Sequence, residues 1–134
     1  MKFMLMMNAP RGNNGDWDMS CWARDDVKAH IGFMMQLYKD LKEEGVLVGA
    51  EGLGSPKDAR IVRAGKNGVP EVTDGPFAES KEFLAGYWIV HVDTPQQAYA
   101  IAARASAAPG LGGKPMNMPI EVREVPSGPP PIDP

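Results

Sequence analysis

Residues 87–92, Tyr-Trp-Ile-Val-His-Val, restrict the fold of this 134-residue chain more than any other stretch. Aromatic and β-branched residues dominate it, and these pack well on a pleated surface. Side chains alternate along a strand, so Trp88, Val90 and Val92 share one face while Tyr87, Ile89 and His91 share the other. Both sets are largely apolar, so both faces need cover. One chain with two helices on one side lacks the material to do this. A second copy of the sheet, packed face to face in a homodimer, is the parsimonious cover.

The remaining pattern supplies the other elements. Residues 3–7 form a short apolar run that suits a strand covered on both faces, followed by a Gly- and Asn-rich loop over residues 8–18. A helix is expected over residues 26–44, where Val27, Ile31, Met34, Tyr38 and Leu41 recur at spacings of three and four. Asp25 and Asp26 favour its start, and Gly45 supplies its stop. Gly32 inside it predicts close packing against a neighbour, because glycine otherwise costs helix stability.

A second strand is expected over residues 46–51. Residues 59–63 and 69–73 form a hairpin turned through Gly65-Lys66-Asn67-Gly68, with Pro70 at a strand start or on an edge. Thr94-Pro95-Gln96-Gln97 is a capping box opening a helix to about Ser106, with Ala98, Ile101, Ala102 and Ala105 inward. Residues 109–119 are a Gly/Pro-rich loop and residues 120–125 a final alternating strand. The order β-α-β, hairpin, β-α-β is a ferredoxin-like α+β skeleton, βαββαβ, with an inserted β-hairpin.

Between the hairpin and the strand at 87–92 lies Asp74-Gly75-Pro76-Phe77-Ala78-Glu79-Ser80-Lys81-Glu82. Asp bonds backbone two residues on, Gly accepts positive φ and Pro fixes its own, so this is a sharp turn. Asp74 thereby sits at the lip of a sheet, within a ligand's reach. This stretch, with Gly86-Tyr87, resembles the signature of the YCII-related proteins of the DGPF type. The resemblance extends to the opening Met1-Lys2-Phe3-Met4-Leu5-Met6, to residues 43–48 with Glu51-Gly52-Leu53, and to residues 120–123. It covers the chain to about Val125, giving a single domain over 1–125 and a flexible Pro-rich tail over 126–134.

The resemblance implies a dimeric α/β barrel. In a few enzymatic members of the wider family a His and an Asp act as a pair. Relatives of this kind occur beside or fused to extracytoplasmic-function sigma factors, which implies an accessory role with a protein partner. Related dimeric barrels also host cofactor-free oxygenase chemistry.

Net charge of −3 gives no support for direct nucleic-acid binding, which favours a basic face. One cysteine, Cys21, excludes an internal disulfide and suits a reducing compartment; it reads as buried filler. Residues 3–7 are too short for a signal-peptide core, and nothing approaches the roughly 18 apolar residues of a membrane span. The default compartment is the cytoplasm.

Candidate chemistry rests on few residues. Asp74 reads either as a turn lock accepting backbone N–H bonds or as a general base facing a pocket between sheet and first helix. His30 and His91 are the only two imidazoles, so either would be its partner. Glu51 at a strand end, Phe77 past the turn, Tyr87 and the neutralising Arg63 are the expected ligand contacts. No Cys/His spacing of zinc type occurs and no Gly-rich phosphate loop, so neither metal nor cofactor is expected. Met116 and Met118 read as apolar filler. The function expected is binding of a small organic molecule, with cofactor-free proton transfer if the site is catalytic; the alternative is the sigma-factor-linked accessory protein.

Overall fold

The computed structural model of the chain describes residues 1–11 and 19–132. Among the described residues, six strands and two α-helices follow in the order β1 (Lys2–Pro10), α1 (Arg24–Glu43), β2 (Leu47–Gly52), β3 (Arg60–Ala64), β4 (Pro70–Asp74), β5 (Glu82–His91), α2 (Pro95–Ser106) and β6 (Ile120–Val125). Four strands make an antiparallel sheet in the order β2-β5-β1-β6, and β3 and β4 form a separate two-stranded hairpin. This is the expected ferredoxin-like arrangement with its inserted hairpin. No helix among the described residues is long and apolar enough to cross a membrane.

The alternation expected along β5 is present. Trp88, Val90 and Val92 are buried, and they meet Phe3 and Leu5 of β1 and Leu37 and Leu41 of α1 in one core. Tyr87 and Ile89 are only half-buried and His91 is exposed. Ile89 pairs with Met4 and Tyr87 with Met6, both half-buried too. One sheet face is therefore a packed core, and the other sets the half-buried Met4, Met6, Tyr87 and Ile89 beside the exposed Glu121 and Arg123 of β6, which stand opposite Met6 and Met4.

The second helix follows its sequence closely. Thr94 accepts from the N–H of Gln97, while the Gln97 side chain accepts from the N–H groups of Asp93 and Thr94, closing a capping box. Ala98, Ile101, Ala102 and Ala105 are all buried, and their small size lets α2 lie close to the sheet. Arg104 reaches across to the C-terminus of α1, donating to the carboxylate of its capping residue Glu44 at 3.3 Å.

The first helix departs from expectation in its rotation. His30, Leu37 and Leu41 are its buried residues, with Phe33 and Met34 packed beside them. Ile31 and Tyr38, expected inward, are exposed. At roughly 100° per residue the buried face sits about 60° from the expected stripe. The apolar arc on α1 is wider than one contact face, and the polar His30 lies at the centre of the buried part. Gly32 is not a packing glycine, since a Cβ there would meet nothing within 4 Å. Gly45, at φ +76°, does stop the helix in the left-handed conformation.

Two strands are longer than their periodicity shows. β1 continues through Asn8, Ala9 and Pro10, and β5 begins at Glu82, inside what reads as a charged loop. The cause is an irregularity: Met7 stands opposite Gly86 but Asn8 opposite Leu84, so the register shifts between them. A bulge of this kind breaks the period-two pattern that signals a strand. Cys21, expected to be buried, is exposed in a short 3-10 turn (Met19–Cys21), and the neighbouring Trp22 occupies the buried position instead.

Candidate functional site

A cleft of about 640 Å³ lies between α1 and the β2–β5–β1 part of the sheet. Its floor is made of small residues: Ala9, Ala50, Gly52, Ala85 and Gly86. Gly86 has little room for a side chain, because a Cβ there would stand 3.0 Å from the Glu51 carbonyl oxygen and 3.4 Å from the Gly52 Cα. Beneath a helix, such a floor leaves space that larger residues would fill. The bulge contributes as well, since it brings Phe83, paired with Ala9, onto the face occupied by Trp88.

The walls are soft and apolar. Ile31, Met34, Met35 and Tyr38 come from α1; Met35 is 67% exposed. Six of the nine methionines border the space: Met7, Met19, Met34, Met35, Met116 and Met118. Unbranched thioether side chains adapt to irregular shapes, a property suited to an apolar guest. Met116 and Met118, expected only as apolar filler, thus form part of the wall. The available signal was Ile31, Met35 and Tyr38, at spacings of four and three on the over-wide apolar arc of α1.

Met116 and Met118 are held in place by the loop before β6. Met116 N–H donates to Ala108 O and Asn117 N–H to Ser106 O, both at 2.9 Å, while Ser106 Oγ donates to Met118 O at 2.7 Å. Two contacts tie the loop to α1. Asp26 accepts from the Gly112 N–H at 3.0 Å, and His30 Nδ1 donates to the Pro109 carbonyl at 3.0 Å. A carbonyl oxygen only accepts, so the imidazole proton sits on Nδ1. The His30 ring lines the cleft and meets Trp22 edge to face, with centroids 5.6 Å apart.

The other expected site residues are scattered. Glu51 and Tyr87 border the cleft, but they stand opposite each other in the β2–β5 register, one position out of phase with the Ala50–Trp88 pair. Alternation therefore directs their side chains to the other sheet face. His91 is exposed at the end of β5, and Arg63 is exposed on β3 opposite Glu71. Asp74 is not among the cleft-lining residues; its side chain is 94% exposed and pairs with Arg60 Nε at 3.7 Å. The Asp74 turn is held by main chain, with Gly75 N–H donating to Ala59 O at 2.9 Å. A Cβ on Gly75 would stand 3.2 Å from three Ala59 atoms, which accounts for the glycine.

Phe77, just beyond that turn, is 62% exposed and borders a second hollow of about 520 Å³ with Arg60, Leu53 and Phe83. Leu53 and Phe83 border the cleft too, so the two spaces are neighbours. Arg11 fixes this corner by donating to the carbonyls of Phe77 at 2.6 Å and Ala78 at 3.1 Å. Among the described residues no group of three or more His, Cys, Asp or Glu is placed to hold a metal ion.

The sequence model of the YCII-related domain matches residues 1–112, most of the chain. The chain belongs to the YCII-related family. The match agrees with the resemblance carried by Asp74-Gly75-Pro76-Phe77 and is compatible with the DGPF subtype. It takes in α1, the sheet floor and both histidines of this YCII-related protein, and ends within the loop that carries Met116 and Met118. No curated protein matches the chain.

Proposed function

We propose that this YCII-related protein binds a small, mainly apolar organic molecule in the cleft between α1 and the sheet. The observation that carries this reading is the pairing of a small-residue floor with methionine and aromatic walls around one fixed imidazole. Ligand sites are commonly concave, mostly apolar and supplied with few polar groups. His30 is the polar group that fits this description, and proton transfer is the chemistry it offers. Asp74 stands outside this wall in the single chain, so a His30–Asp74 pair is not part of the proposal.

The same proposal includes a homodimer through the open sheet face, where Met4, Met6, Tyr87 and Ile89 are left half-buried. A sigma-factor-linked protein partner would compete for that surface, and sedimentation of the isolated chain separates the two, because only the homodimer forms without a second protein.

The binding claim is tested by titrating the full chain with 1-methoxynaphthalene by calorimetry. Saturable binding at one site per chain is expected, and Ile31→Glu, which puts a charge on the exposed wall of α1, is expected to abolish it. Absence of binding, or binding indifferent to Ile31→Glu in a folded variant, contradicts the proposal.

A further inference from the structure

Resting on the ligand-binding reading above, we infer that the ligand is uncharged and carries one hydroxyl or N–H that donates to Nε2 of His30. Nδ1 bears the proton because it donates to the Pro109 carbonyl at 3.0 Å, and a neutral ring then offers Nε2 as an acceptor. Although His30 is only 8% exposed, no buried side-chain nitrogen or oxygen among the described residues lacks a hydrogen-bond partner. Nε2 makes no hydrogen bond there, so it keeps contact with open space. The ring lines the cleft, so that space is the cleft.

Charge narrows the ligand further. Among the described residues no Lys or Arg lines the cleft, so a carboxylate or phosphate entering it would lose water and meet no cation. An ammonium group fares no better, because the pleat turns the Glu51 carboxylate away from the helix side. A neutral ring system with one donor satisfies both the walls and the imidazole. At about 640 Å³ the cleft accepts a bicyclic aromatic alcohol, and a phenolic O–H matches a nitrogen acceptor well.

The test compares three probes of one shape on the full chain by calorimetry: 1-naphthol, 1-methoxynaphthalene and 1-naphthoate. The expected result is naphthol about three- to tenfold tighter than its methyl ether, the range of a net neutral hydrogen bond, with naphthoate weakest. His30→Asn keeps an N–H near the Nδ1 position for Pro109 but has nothing at Nε2. It is expected to erase the naphthol advantage, so that naphthol and its methyl ether bind with equal affinity. Should that variant fail to fold by circular dichroism, the order of the three probes on the unaltered chain decides. Equal binding of naphthol and ether, tightest binding of naphthoate, or a folded His30→Asn that keeps the naphthol preference overturns the inference and leaves the cleft a binding site. No binding by any of the three overturns both.

Discussion

The Nδ1–H of His30 on α1 donates to the carbonyl oxygen of Pro109, 79 positions further along the chain and 3.0 Å away. One side chain thereby does two things. It fastens the loop that carries Met116 and Met118 against α1, and it settles which imidazole nitrogen carries the proton. The wall of the cleft and the imidazole that lines it are coupled through the same ring.

Removing that ring has a structural cost apart from any ligand. His30→Ala leaves the part-buried Pro109 carbonyl without its donor and opens space beneath Trp22. Destabilisation of about 1–3 kcal/mol is expected in urea unfolding, the cost of stranding a buried polar group. His30→Asn, which restores an N–H near Nδ1, is expected to recover part of the loss.

At the start of α2, Thr94→Ala removes the hydroxyl that accepts from Gln97 N–H. A loss of about 1 kcal/mol is expected in thermal or urea unfolding, as for other N-cap deletions. The cap lies outside the cleft, so affinity for 1-methoxynaphthalene is expected to stay unchanged.

The Asp-Gly-Pro turn makes a contrast between neighbours. Gly75→Ala drives a methyl group into Ala59 and is expected to cost about 1–3 kcal/mol in the stability of the β3–β4 hairpin. Asp74→Ala removes only a solvent-screened pairing with Arg60, worth about 0–1 kcal/mol. Hydrogen exchange at the paired residues Ile61 and Thr73 reads both: protection drops in Gly75→Ala and is nearly unchanged in Asp74→Ala.

The fold was legible because its signals were local and periodic. The Thr94-to-Gln97 cap, the inward alanines of α2, the Gly65–Gly68 turn and the alternation of Trp88, Val90 and Val92 each announce themselves within a few residues. The cleft was less legible for three physical reasons. The apolar arc of α1 is wider than its contact with the sheet, so sequence spacing could not say which edge is buried. The Met7/Asn8 irregularity hid the first half of β5 and with it Phe83. Met116 and Met118 reach the cleft only through long-range hydrogen bonds of their loop. Asp74 drew attention as turn chemistry, yet the lock is the Gly75 N–H on Ala59.

The open sheet face predicts its own experiment. Ile89, half-buried opposite Met4, lies on the surface assigned to a second copy. The unaltered chain is expected to sediment as a dimer and Ile89→Glu as a folded monomer, because a buried unpaired carboxylate opposes association. A monomer before substitution would contradict the assignment.

The cleft itself is tested most directly by the methyl spectrum of [methyl-13C]methionine-labelled protein during titration with 1-methoxynaphthalene. Methionines occur on both sheet faces, so the probe carries its own control. Shifts are expected at Met7, Met34, Met35, Met116 and Met118, with Met4 and Met6 unmoved at constant oligomeric state. Shifts confined to Met4 and Met6, or no saturable shift at any of the seven, would contradict binding in the cleft.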